Sequence, residues 1–246
     1  MRERTRPLLA ALSFLTAVPV ARGTVLGATD LRRAAALFPV VGGAVGAFVA
    51  TIVWGAAQIV PPFAAAVLGV AGGVAATAAL HLDGLGDVAD GVGASLGGRD
   101  PAEAMRDPRL GTFGVAAVAL DLLLKAAVLS SLVEAGFPWP VVAAGAISRV
   151  APIAIAWRLP YRGGGTGTWT DRIGAGAAAS ASIVGLAIAI PCAGFATPAM
   201  VVAVAAVAIV LGSWSARRLG GTTGDVLGAC IELGETFALL AALAAT

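Results

Sequence analysis

The stretch AAALFPVVGGAVGAFVATIVWGAAQ, residues 34–58, carries no charge over a length that exceeds the about 20 residues a helix needs to cross a bilayer. Comparable apolar runs occupy 63–82, 111–133, 139–157, 176–193, 197–215 and 226–245, which predicts about seven transmembrane helices. The whole chain agrees: 59% of its residues are hydrophobic, 12% are charged, and the mean hydropathy is +0.92. That balance excludes an ordinary soluble domain. The expected fold class is all-α, a polytopic integral membrane helical bundle. No Ser-rich or charged linker divides the chain, so residues 1–246 are read as one membrane domain, and its 33 glycines suit close helix packing.

Charge gives the orientation. Of sixteen Lys and Arg residues, only Lys125 and Arg149 fall inside apolar runs. The others lie in the N-terminal segment or in the links 83–110, 158–175 and 216–225, which the positive-inside rule places in the cytoplasm, with the C-terminus outside. Glu134 is the one charge expected on the far side, so every polar loop long enough to build a site faces the cytoplasm. Arg2, Arg4 and Arg6 before Leu8 to Val20 resemble the start of a signal peptide, but Pro19 and Arg22 make a poor cleavage region. This segment is read as a retained interfacial or re-entrant helix. Cys192 and Cys230 fall near opposite faces, so no disulfide or thiol chemistry is expected.

The polar segment His81-Leu82-Asp83-Gly84-Leu85-Gly86-Asp87-Val88-Ala89-Asp90-Gly91 carries the chemistry. On a helix, spacings of four and three put Asp83, Asp87 and Asp90 on one face. Three bare carboxylates that close repel one another, and a hard divalent ion such as Mg²⁺ removes the conflict while leaving positions for phosphate oxygens. The competing reading is a solvated helix end. His81, one turn earlier, is either a packing residue or a substrate contact. In the same link a short helix is expected over Ala102 to Arg106. Arg106 and Arg109 suit clamping of phosphate oxygens, or anchoring to anionic lipid. Within the spans, each ionisable residue costs about 2.5–3.5 kcal/mol on insertion scales and needs a partner or a cavity. Asp121 and Lys125 lie four apart and can pair. Asp225, Glu232 and Glu235 share a face of the last span, where Glu232 or Glu235 either meets substrate or pairs with Arg149 or Lys125. A flexible turn, 220–224, precedes Asp225, and the last helix is expected to pack beside the 63–82 helix with Asp225 near the acidic face.

Three motifs in order resemble the cobalamin synthase family, also called cobalamin-5′-phosphate synthase or adenosylcobinamide-GDP ribazoletransferase. They are His81-Leu82-Asp83-Gly84-Leu85 with Asp87 and Asp90-Gly91; Met105-Arg106-Asp107-Pro108-Arg109-Leu110-Gly111-Thr112-Phe113-Gly114; and Gly221-Thr222-Thr223-Gly224-Asp225-Val226-Leu227-Gly228-Ala229 with Glu232 and Glu235. The resemblance extends to Phe14-Leu15-Thr16-Ala17-Val18-Pro19-Val20 and Phe38-Pro39-Val40-Val41-Gly42. Pro108 departs from the pattern, and Tyr161 to Gly167 matches only loosely.

The resemblance implies a Mg²⁺-dependent enzyme of the bacterial inner membrane with its active site facing the cytoplasm. It would join adenosylcobinamide-GDP to α-ribazole or its 5′-phosphate and release GMP. On that reading Asp83, Asp87 and Asp90 hold the metal, and Asp107 or Asp225 takes the proton of the incoming hydroxyl. Substrate contacts are expected from His81, Arg106, Arg109, Lys125, Arg149, Glu232 and Glu235. Expected partners are the two substrates, the lipid bilayer, and either a second copy or other enzymes of the cobalamin pathway; no nucleic acid is expected. Two other classes compete. A CDP-alcohol phosphotransferase would need an Ala-Arg pair soon after the first Asp-Gly, where Leu85-Gly86-Asp87 stands. An ion-coupled transporter would show internal sequence symmetry, and no repeat is found.

Overall fold

Proline and glycine punctuate a chain that is otherwise helical. The computed structural model describes residues 5–20, 26–136, 138–163, 170 and 173–245. The helices are α1 Arg6–Leu15, α2 Ala28–Ala34, α3 Phe38–Ala56, α4 Pro62–Ala76, α5 Leu80–Leu96 and α6 Pro101–Ala104. They continue with α7 Thr112–Glu134, α8 Pro140–Ser148, α9 Ala151–Arg158, α10 Ala175–Ala193, α11 Thr197–Leu219 and α12 Gly224–Ala244. Pro39, Pro62, Pro140 and Pro198 stand in first turns, where a missing N–H costs nothing. Among the described residues the β structure is one isolated bridge, Tyr161 to Thr222.

Among the described residues five helical runs are long and apolar enough to cross a membrane, or six if α4 and α5 form one broken crossing. The longest, Ala175–Leu219, has 45 residues, about twice what a bilayer needs. It doubles back: Gly194 takes φ +52°, and Ser182 and Gly185 of α10 line the same cleft as Val204 and Ala208 of α11. The N-terminal α1 is too short to cross, and it buries Ala10, Ala11 and Leu15 against the bundle. Cys192 and Cys230 are both free.

Thr77-Ala78-Ala79 corrects the span expected over 63–82. Ala78 and Ala79 take φ of +50° and +58°, a left-handed conformation that costs an L residue about 1–2 kcal/mol. The Ala79 N–H returns to the Val74 carbonyl at 2.9 Å and closes the end of α4. Helix α5 then leaves at 91° to α4. Alanine is the best helix former, so nothing local calls for this break. Tertiary packing imposes it: the Ala17 N–H caps the Ala76 carbonyl at 2.8 Å, and α5 is drawn away to bury Leu85 and Val88. As a result α12 packs on α5, not on the 63–82 helix that the sequence pointed to.

Glycine sets the closest approaches. A Cβ at Gly42 of α3 would overlap the Gly145 carbonyl of α8, and one at Gly84 of α5 would sit 2.7 Å from the Asp225 carbonyl of α12. The second contact positions the candidate site.

Candidate active site

Helix α5 turns the one-dimensional spacing of its acids into a shared face. Asp83 is exposed, Asp87 and Asp90 are partly buried, and Asp87 lies within electrostatic reach of Asp83, Asp90 and Asp225. The expectation that Asp225 stands near this face is met, through the Gly84 contact. Neither Asp83, Asp87 nor Asp225 has an ion-pair partner among the described residues, although the Thr223 hydroxyl reaches Asp225 at 3.4 Å. Thr223 also caps α12, accepting from the Val226 N–H at 3.4 Å.

Asp90 has a task of its own. Its two carboxylate oxygens accept the backbone N–H groups of Gly111, at 2.7 Å, and Gly114, at 2.9 Å. These are orphan donors at the N-terminus of α7, where a negative charge also meets the positive end of the helix dipole. The glycines in Leu110-Gly111-Thr112-Phe113-Gly114 follow from this: a Cβ at Gly111 would lie 2.6 Å from the Asp90 carboxylate, and one at Gly114 would lie 2.9 Å from the Gly86 carbonyl. Among the described residues no three His, Cys, Asp or Glu side chains converge into a ready metal cage. Mg²⁺ seldom uses one, taking one or two carboxylates and completing its shell with water and phosphate. The unpaired oxygens of Asp83 and Asp87 suit that pattern, while those of Asp90 are already engaged.

The loop residues divide as well. Arg109 donates two side-chain hydrogen bonds to Asp107, at 3.0 and 2.9 Å, and holds that exposed carboxyl down at about 2. Arg106 is exposed and has no ion-pair partner among the described residues. Tyr161, which the sequence did not mark as a site residue, enters through backbone pairing. The Arg162 N–H donates to the Thr222 carbonyl at 2.7 Å, and the Thr222 N–H donates to the Pro160 carbonyl at 2.8 Å. This zips the 160–162 loop to the turn before Asp225. Burial, with the Asp225 charge adding to it, pushes the Tyr161 phenol up.

The remaining expected substrate contacts are brought together, but with one another. Lys125 pairs with Glu232 and, at 3.2 Å, with Asp121, which also accepts the Thr236 hydroxyl at 2.5 Å. Arg149 pairs with Glu235 and donates to the Ser148 hydroxyl at 2.9 Å. Asp121, Lys125, Arg149 and Glu232 are buried in the bundle and Glu235 is partly buried, and together they tie α7 and the end of α8 to α12. His81 borders this network, fully buried, and its Nε2 has no hydrogen-bond partner. Of the two alternatives for Glu232 and Glu235, mutual pairing with Lys125 and Arg149 is the one the geometry displays.

Comparison with known proteins gives a consistent result. The family Cobalamin-5-phosphate synthase matches residues 7–243. The chain is 38% identical to an adenosylcobinamide-GDP ribazoletransferase of Thiobacillus denitrificans over 96% of this chain and 94% of that protein. Proteins of the same name from Ralstonia nicotianae, at 36% over 100% and 98%, and Pseudomonas paraeruginosa, at 38% over 98% and 99%, match equally fully. No solved structure gives a significant match.

Proposed function

The chain belongs to the cobalamin-5-phosphate synthase family, and from that membership we propose that it is an adenosylcobinamide-GDP ribazoletransferase working at the face built by α5 and α12. It transfers the cobinamide phosphate of adenosylcobinamide-GDP to α-ribazole, or its 5′-phosphate, and releases GMP. The observation that carries this reading is the seating of Gly84 against Asp225, because it joins two sequence motifs 141 residues apart into one acidic face.

In the reaction a ribose hydroxyl of the acceptor forms a bond to the phosphorus attached to the cobinamide arm. The bond from that phosphorus to the oxygen leaving with GMP breaks, and negative charge grows on that oxygen. Asp83 and Asp87 would hold Mg²⁺, which when bound supplies charge neutralisation at the phosphates. Asp225 is the better placed base for the hydroxyl proton. Asp107 is clamped by Arg109 and too weakly basic at its depressed value to draw a proton at neutral pH. Arg106 is left to bind non-bridging phosphate oxygens. The arginine-rich links support a face on the cytoplasmic side of the bacterial inner membrane, where a nucleotide-linked donor is available.

Reconstituted protein supplied with adenosylcobinamide-GDP, α-ribazole and Mg²⁺ is expected to yield adenosylcobalamin and GMP in equal amounts. Failure with these substrates, together with turnover of a CDP-alcohol, would overturn the reading. The ion-coupled transporter reading gains nothing from these acids, since Asp121 and Glu232 share Lys125 and Glu235 pairs with Arg149.

A further inference from the structure

A cavity of about 170 Å³ opens beside the acidic face, between the end of α1, the starts of α3 and α5, and the first turns of α12. Its chemistry is two-sided. Phe14, Phe38, Leu80, Leu227 and Ile231 supply apolar walls, and the two phenyl rings stack with centroids 5.8 Å apart at 20°. Asp83, Asp225, Tyr161 and His81 supply polar groups, and no Lys or Arg lines the cavity among the described residues. On the α12 side Gly224 and Gly228 contribute no side chain, and a Cβ at Gly228 would already reach the His81 Cα at 3.4 Å.

Each feature narrows the occupant. An engineered apolar cavity of ~150 Å³ takes a benzene ring, so this one is matched to a flat aromatic group of one or two rings. With no Lys or Arg lining it among the described residues, the cavity offers a phosphate only the Mg²⁺ that Asp83 and Asp87 would hold at its edge, so its apolar interior suits a base better than the diphosphate of a nucleotide donor. His81, which lines the cavity, is buried and its Nε2 has no hydrogen-bond partner. A ribose carried by an aromatic base would leave the apolar walls at their polar edge, where Asp83, Asp225 and Tyr161 stand. We infer that this cavity seats the uncharged aromatic base of the nucleoside acceptor and aims its ribose at Asp225. The inference rests on the transferase reading above. It adds the acceptor's seat and makes Leu227, Ile231 and Leu80 the residues that set which base is accepted.

The test separates the two substrates. Binding of α-ribazole to the purified, detergent-solubilised protein is measured by equilibrium dialysis without donor, alongside KM for each substrate. Leu227→Trp fills the cavity and is expected to raise the dissociation constant and KM for α-ribazole at least about tenfold, leaving KM for adenosylcobinamide-GDP within about twofold. Gly228→Ala, a milder intrusion, should weaken α-ribazole binding in the same direction if the larger variant does not fold. Leu80→Ala, at a half-exposed wall, should improve acceptance of nucleosides with bulkier bases. Equal rises in both KM values, or weaker donor binding with α-ribazole binding unchanged, would overturn the inference. Absence of turnover in the unsubstituted protein would count against the assigned reaction, and the dialysis result would still decide the seat.

Discussion

Gly84 and Asp225 touch across the α5–α12 interface at a point where α5 has room for a hydrogen atom and nothing larger. The acids of α5 are therefore registered to the start of α12 by the absence of a side chain. Replacing Gly84 by Ala places a methyl 2.7 Å from the Asp225 carbonyl, so the helices must part. Overpacking of this kind costs about 1–3 kcal/mol. Gly84→Ala is expected to lower the thermal unfolding midpoint in detergent and to reduce kcat more than either KM.

Asp90 is expected to behave as a cap. Asp90→Ala removes both acceptors from the amides of Gly111 and Gly114 and should cost about 1–2 kcal/mol of stability, with Asp90→Asn, which keeps one good acceptor, costing less. Neither should change the Mg²⁺ concentration for half-maximal rate. A shift in that concentration comparable to that in Asp87→Asn would make Asp90 a ligand instead.

The buried charges are expected to act on stability. Removing Lys125 alone leaves Asp121 and Glu232 uncompensated, so Lys125→Met should destabilise by about 3–5 kcal/mol, read as loss of folded protein on heating. Lys125→Met combined with Glu232→Leu should recover part of that loss. A single variant with normal stability and a raised KM would return Lys125 to substrate binding.

The paired Asp107 also sets an expectation about pH. Its folded value of about 2 lies below the ordinary 3.8, so its charge favours the folded loop above the ordinary value and is lost only as pH falls through 2. It therefore stays ionised between about pH 5 and 9 and supplies no inflection to the rate profile there. Asp107→Asn should leave the acid limb of kcat/KM where it is; displacement of that limb would make Asp107 the base.

How much of this was legible in the sequence depended on the range of the physics. The helical face of Asp83, Asp87 and Asp90 is set by spacing within one element, and the helix over 80–96 bears that spacing out. The membrane fold followed from apolar length. The break at Ala78 and Ala79 was not legible, because two alanines advertise a helix and only contacts made by Ala17 and α5 pay for their left-handed backbone. The pairing of Lys125 with Glu232, 107 residues on, was one of several combinations until the bundle chose it. Tyr161 stood only at the start of a loosely matching segment and was not marked as a site residue, since its place depends on backbone pairing with Thr222. The glycines after Leu110 were visible as a motif, and their cause, the Asp90 carboxylate, lay 21 residues away from Gly111.

The most direct test of the acidic face is the single-turnover rate of GMP release by Asp83→Asn and Asp87→Asn. Each protein is saturated with adenosylcobinamide-GDP and α-ribazole at a fixed Mg²⁺ concentration, after its unfolding midpoint has been matched to the unsubstituted protein. The predicted result is a fall of at least about a hundredfold in both, the scale on which loss of charge stabilisation at a reacting centre is felt, with partial recovery as Mg²⁺ is raised. Rates within about threefold of the unsubstituted protein in both variants would contradict the assignment of the reaction to this face.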